Sequence, residues 1–234
     1  MLHCLSLLVF VAFALCPEHA HAATVSGRVV LDGAAPQRPT IMMSADPACD
    51  KLYPRGRPAE QLIADSNGSL ANAIVHVSAG LPKDYEPAPV LTTATIDQKG
   101  CAYVPHVIAV RVGEEIQFRN SDATIHNVNS RSVANLPFNE AMPAQNQTIL
   151  KVFSHPELAV KLKCDIHPWM SAYVGVFAHP FFAVTGSDGR FALSGLPEGD
   201  YTIEAWHEAL GQRSAKVSVD DQDAATVDFS FVGN

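Results

Sequence analysis

Short apolar runs that alternate with polar residues set the rhythm of this chain. "ATVSGRVVLDG", starting at Ala23, reads as a strand closed by the Asp32-Gly33 turn, and "LANAIVHVSAGLP" as a second strand with alternate apolar positions. A Pro-rich, irregular stretch holding Cys49 separates them. From Val90 the runs tighten into "VLTTATIDQKG", "HVIAVRVGEEIQFRNSD", "QTILKVF", "LAVKLKC" and "SAYVGVFA", divided by Gly, Pro, Asn or Asp. Strands so closely spaced predict a sandwich or barrel rather than a parallel βαβ sheet. No long stretch has helical period, so helix is expected to be minor. After His179, a turn at Ser187-Asp188-Gly189 and another at Pro197-Glu198-Gly199 frame "RFALSGL" and "YTIEAW". These are expected to form a hairpin that needs a partner sheet to bury Phe191, Leu193, Tyr201 and Ile203.

The first residues break this pattern. An apolar run from Cys4 to Leu15, followed by Ala20-His21-Ala22, reads as a secretory signal cut after Ala22, too short to cross about 30 Å of hydrocarbon. Leu15 is bulky where a lipid-attachment motif at Cys16 needs a small residue. The expected product is a soluble protein exported to the periplasm or an equivalent compartment. Among the 234 residues the formal net charge is -8 and Lys and Arg form no cluster, which argues against nucleic acid and anionic membrane as partners. Cys4 and Cys16 leave with the signal, so the exported chain keeps Cys49, Cys101 and Cys164. In an oxidising compartment two of three should pair. The neighbours of Cys164 make it the unpaired one and leave a Cys49–Cys101 disulfide.

Those neighbours read "KCDIHPWM", in which Cys164, His167 and Met170 recur at intervals of three. Singly, a Cys or Met is an ordinary core filler and a His an ordinary polar residue. Upstream, "VGEEIQFRNSDATIHNV" adds His126, so the chain offers two imidazoles, a thiolate and a thioether in order. That set matches a mononuclear type 1 copper centre, trigonal through His₂Cys with a weak axial Met. A thiolate with two imidazoles suits both Cu(I) and Cu(II) tolerably, so little has to rearrange when an electron moves.

The segment from about Thr93 to Ala178 resembles the cupredoxins, and among them amicyanin. The shared features are the short C-x-x-H-x-x-M spacing and the upstream pattern at Gly113, Glu114, Ile116, Phe118, Asn120, His126, Asn127 and Val128. The resemblance implies a Greek-key β-sandwich with copper held by His126, Cys164, His167 and Met170. It also implies that Asn127 ties the ligand-bearing loops together, and that the His167 ring edge, in a surface loop beside Pro168 and Trp169, is the route of the electron to a transient redox partner, a cytochrome or a dehydrogenase. Met142 and Pro143 are candidates for the same docking patch. With every coordination position filled by protein, no place remains for a substrate, so the reading is a carrier rather than an enzyme. G-x-S-x-G, H-E-x-x-H and phosphate-cradling glycine patterns are missing from the sequence. His179 and His207 suggest a weaker second metal site.

"VSGRVVLDGAAP", "LANAIVHV" and "TGSDGRFALSGLPEGDYTIEA" resemble the carboxypeptidase regulatory-like, or transthyretin-like, β-sandwich, part of a carbohydrate-binding-like group of folds. Two of these segments lie before Val90 and the third follows His179. The expected organisation is therefore all-β: a signal over 1–22, a split sandwich from 23–90 and 179–234, and a cupredoxin domain over 91–178 inserted in it or adjoining it. Two rival readings are a periplasmic copper-binding or copper-delivery protein and a structural or carbohydrate-binding β-module without metal.

Overall fold

A computed structural model describes residues 23–220 and 224–233; the signal segment and its cleavage point after Ala22 lie outside the described residues. The fold is all-β, with a single six-residue helix among the described residues. Its first part holds β1 (Ala23–Asp32), β2 (Thr40–Ile41), α1 (Pro47–Leu52), β3 (Arg57–Pro58) and β4 (Ile74–Ala79). The middle contains β5 (Thr93–Gln98), β6 (Tyr103–Val104), β7 (Val107–Arg111), β8 (Glu115–Asn120), β9 (His126–Ser130), β10 (Asn139–Met142), β11 (Thr148–Val152), β12 (Glu157–Lys163) and β13 (Ser171–Phe177). Last come β14 (Phe182–Val184), β15 (Arg190–Leu196), β16 (Gly199–His207), β17 (Gly211–Val219), β18 (Ala225–Thr226) and β19 (Phe229–Val232).

The middle segment makes two sheets, ordered β10-β9-β12-β13-β7 and β11-β8-β5-β6. Their inward positions, among them Ile96, Phe118, Val128, Leu162 and Val174, are fully buried and pack as one cluster. The first and last segments make two more sheets: β15-β1-β18, with β19 also on β1, and β14-β4-β16-β17. Val25, Val29, Val75, Phe191, Ile203 and Phe231 fill the space they enclose. A small third cluster, Ile74, Val107 and Phe177, joins the two cores where β4, β7 and β13 meet. Beside it, buried His106 pairs with Glu208 of the β16–β17 turn.

Two local expectations are corrected. Strands β15 and β16 do not form a hairpin: β15 pairs with β1 and β16 with β4 and β17, so they belong to different sheets. Both strands carry alternate apolar residues, and crossing from one sheet to the other lets Phe191 and Leu193 meet Tyr201 and Ile203 through a shared core. The corner is tied by the Tyr201 hydroxyl donating to Pro197 O at 2.8 Å. The stretch around Cys49 is not irregular either. It forms an arm, with β2 pairing to β3 and α1 between them, and its Met43 and Cys49 lie in the core of the middle sheets.

Strand β1 runs between β15 and the parallel strands β18 and β19, and Gly27 sits where the backbone of Val227 crosses it. A Cβ on Gly27 would lie 1.8 Å from Val227 O, a main-chain atom that no side-chain rotation relieves. Gly27→Ala is expected to cost about 3 kcal/mol or more through overpacking. It should appear as a lower urea midpoint, and an unchanged midpoint would show that β18 and β19 are not held against β1.

Candidate metal centre

Three elements deliver the potential ligands. β9 begins at His126, β12 ends at Lys163 and hands the chain to Cys164, and a tight loop returns it through His167 and Met170 to β13. Strands β9 and β12 are neighbours, with Leu162 opposite Ser130, so the two ligand segments emerge at one end of the same sheet. Main-chain bonds close the loop: Met170 N donates to His167 O at 2.9 Å and Cys164 N to Met170 O at 3.2 Å. His167 N also points at Cys164 Sγ, 3.4 Å away. His126, Cys164, His167 and Met170 are all buried.

Three donor atoms, from His126, Cys164 and His167, converge. His126 Nδ1 lies 2.9 Å from His167 Nδ1, and Cys164 Sγ lies 3.7 Å from His167 Nδ1. The far nitrogen of each ring meets a carboxylate: His126 Nε2 is 3.0 Å from Asp122 Oδ2, and His167 Nε2 is 3.0 Å from Asp46 Oδ2. A carboxylate only accepts, so both Nε2 atoms carry hydrogen and both Nδ1 atoms turn inward. Neither carboxylate is loose. Gly100 N and Cys101 N donate to Asp122 at 2.7 and 2.8 Å. Asp46 caps α1, with Ala48 N and Cys49 N at 2.7 and 3.0 Å on one oxygen, while Thr124 Oγ1 donates at 2.9 Å to the oxygen that meets His167.

Asn127 joins the two ligand segments. Its Oδ1 accepts from Asp165 N at 2.7 Å, and its Nδ2 donates to Asn139 Oδ1 at 2.6 Å and Asp165 Oδ2 at 3.0 Å. Cys49 and Cys101 form a disulfide, and Cys164 is a free, buried thiol. Cys49 Sγ lies 3.9 Å from His167 Nε2, so the disulfide fastens the arm directly over that ring. His167 is consequently 1% exposed, which corrects the expectation that its ring edge reaches the surface. Trp169 is half-buried with its ring 5.1 Å from that of His167, and Pro168 is exposed. Met142 is wholly buried opposite His126 on β10 and does not join a surface patch; Pro143 is exposed.

Asp46 and Asp122 escaped the sequence reading. Asp46-Pro47 is a helix-start signal, a capping residue followed by Pro, set in a Pro-rich stretch without strand or helix periodicity. Asp122 stands four residues before His126 in a run rich in Asn, Ser and Asp, where a carboxylate attracts no notice. His179 and His207 serve elsewhere: His179 Nε2 donates to Val77 O at 2.9 Å, and burial holds its pKa down at about 4. Among the described residues, every group of His, Cys and carboxylate close enough to share an ion lies at the Cys164 end.

The electrostatics follow from burial and partners. Burial raises the Cys164 thiol, but a hydrogen bond with His126 and the amides of the loop outweigh it and hold the pKa at about 7. Burial lowers the His126 pKa, yet Asp122 and Cys164 together raise it to about 9. Burial raises the Asp46 pKa, but hydrogen bonds from His167, Cys49, Thr124 and Ala48 bring it to about 2. Positive charge is thus favoured on His126, beside a readily ionised sulfur and a second ring nitrogen, in a dry pocket where either a proton or a metal cation can sit among the three atoms. With bonds of about 2 Å to nitrogen and about 2.3 Å to sulfur, the separations of 2.9 and 3.7 Å from His167 Nδ1 are short enough for a shared ion, and the ligand atoms of His126, Cys164 and His167 all lie within 4.8 Å of one another. The donor set therefore fits a thiolate- and imidazole-preferring metal such as copper.

No protein-family model and no curated protein matches the chain. Solved structures similar to part of it include a copper-containing nitrite reductase from Thermus scotoductus SA-01, 20% identical at TM-score 0.34, over 39% of this chain and 25% of that one. A purple cupredoxin from Nitrosopumilus maritimus is 24% identical at TM-score 0.31, over 36% of this chain and 98% of that one. A reduced amicyanin variant is 21% identical at TM-score 0.34, over 38% of this chain and 85% of that one. The overlap with the nitrite reductase spans about a quarter of that enzyme's length. Likenesses of this size leave the family of the chain open.

Asp46→Ala should remove the helix cap and the His167 partner together, lowering stability by about 2 kcal/mol at neutral pH. The folded pKa of about 2 lies below the ordinary aspartate value of 3.8, so the aspartate's contribution is fully present above about pH 4 and fades as pH falls toward 2. Urea unfolding of the two proteins should show midpoints that differ at pH 7 and approach each other near pH 2. A constant difference across that range would remove the ionic part of the account.

Proposed function

We propose that the chain is an exported type 1 copper protein that carries or relays single electrons, with His126, Cys164, His167 and Met170 as the ligands of one copper ion. In this reading residues 91–178 form a cupredoxin domain set within a split transthyretin-like sandwich from 23–90 and 179–234, and the protein works in the periplasm or an equivalent compartment with a cytochrome or dehydrogenase as a transient partner. The observation that carries it is the convergence of His126 Nδ1, His167 Nδ1 and Cys164 Sγ in one buried pocket, with the far face of each imidazole held by a carboxylate. Copper bound there would alternate between Cu(I) and Cu(II). The chain's part is to hold the ligands so that neither state has to reorganise its surroundings. Asp122 and Asp46 fix ring orientation and tautomer, Asn127 fixes the β9 and Cys164 segments against each other, and burial excludes water. A site supplied wholly by protein offers no position to a substrate, which favours a carrier over an enzyme.

The arm bears on the alternative of copper delivery. A delivery protein needs its metal within reach of an acceptor, whereas here the disulfide and α1 cover His167. That closure favours retention and electron transfer.

Adding Cu(II) to the purified apoprotein should give an intense visible thiolate-to-copper charge-transfer band, absent in Cys164→Ser. A colourless wild-type product would defeat the reading. Removal of copper by a chelator should be slow in the wild type and at least about tenfold faster in the Cys49→Ser, Cys101→Ser double variant, in line with lost coupling between cover and site. Equal rates would mean that the arm does not guard the metal, and would restore the delivery reading.

A further inference from the structure

The arm closes the His167 edge but leaves a cleft beside it. This cavity, about 380 Å³, lies between the β2–β3 ribbon of the arm and the Cys164–Met170 loop. Its inner wall contains Trp169, Met170 and Cys101, and its rim includes Arg57, Lys161 and Lys163. A cavity of that volume takes a molecule of one or two rings.

The charges in the cleft are uneven. Arg57 pairs with Glu60 at 2.9 Å, so these two charges balance, and His106 on the same wall is hydrogen-bonded to Glu208. Lys161 lies over the Tyr173 ring at 5.5 Å, and Lys163 has no carboxylate within ion-pair distance among the described residues. The cleft is therefore locally cationic on a chain whose formal net charge is -8. The position of Trp169 adds a route inward. Its Nε1 donates to Cys101 O at 3.2 Å, which fixes the indole plane, and one side of the ring lies against His167, 5.1 Å between centroids. A flat molecule stacked in the cleft on Trp169 is thus separated from a copper ligand by a single aromatic ring.

Resting on the copper reading, we propose that this cleft is the electron-entry site and that it binds a small planar aromatic anion, a hydroquinone bearing a sulfonate or carboxylate, with its ring on Trp169 and its charge against Lys163 and Lys161. In the transfer a ring O–H bond breaks, its proton goes to water, and its electron passes through Trp169 and His167 to Cu(II). The products are Cu(I) and a one-electron-oxidised aryloxyl radical. No other atom moves between ligand and protein.

The test uses hydroquinone sulfonate as the probe and unsubstituted hydroquinone as its neutral control. Calorimetric titration of the full-length apoprotein should show saturable binding of the sulfonate, at least fivefold tighter than the control. Lys163→Glu should weaken that binding at least tenfold while Lys163→Arg retains it, with all three proteins melting at the same temperature. In the copper-loaded protein, bleaching of the visible band by the sulfonate should slow at least tenfold in Lys163→Glu, while bleaching by neutral hydroquinone is unchanged. If the wild-type apoprotein shows no saturation, or the charge reversal leaves affinity and rate alone although the visible band forms, the cleft proposal falls and the copper reading stands. If no band forms, the copper reading and the electron-entry role fall together, and the apoprotein titration decides whether the cleft binds the anion.

Discussion

Two ring nitrogens 2.9 Å apart beside a buried sulfur form an arrangement that calls for a proton or a metal cation between its members. Much of the surrounding structure keeps those three atoms from turning away. Asp122 and Asp46 occupy the outer nitrogens, so neither imidazole gains by flipping. The His126 side chain, with the amides of Asn127, His167 and Ile166, outweighs the burial of the sulfur and keeps its pKa at about 7. Geometry and protonation thus act in the same direction, each biasing the pocket toward a cation.

The two carboxylates come from unlike places, and the difference shows how the fold divides its labour. Asp122 belongs to the loop leading into β9 and is gripped by the Gly100–Cys101 turn, so it is part of the sheet scaffold. Asp46 comes from the arm, far away in sequence, where one oxygen starts a helix and the other meets His167. The disulfide links these two structures, since Cys101 follows the turn that holds Asp122 and Cys49 lies in the helix that Asp46 begins. The covering of the site and the orientation of its ligands are consequently parts of a single mechanical unit. That unit hides the His167 edge, whose ring neighbours are His126 and Trp169.

Sequence patterns carried the strands well where one face is buried and the other wet. "VGEEIQFRN" and "AVKLKC" became β8 and β12 because alternation is imposed directly by a sheet over a core. The spacing of Cys164, His167 and Met170 was legible for a similar reason, since a tight loop makes neighbours in sequence neighbours in space. What could not be read were relations across the chain. Strands β15 and β16 look like a hairpin locally, and only the opposing core shows that they part. Asp46 is an ordinary capping residue until the arm is folded onto His167. The burial of His167 likewise depends on a segment more than a hundred positions away, a distance at which no local pattern carries information.

Strand β1 is the first element of the described chain, and all its partners within the sheet, β15, β18 and β19, lie at its far end. The strands of the middle sheets, by contrast, are contiguous in sequence. As the polypeptide is made from its amino terminus, the middle sheets have all their strands well before Phe229 and Phe231 emerge. The leading strand has to wait, its edges unsatisfied, until nearly the whole molecule has been delivered. The sheet built on β1 therefore closes last, beside a middle part already assembled, and chains cut short near the carboxyl terminus would keep the pocket while leaving a sticky ribbon exposed.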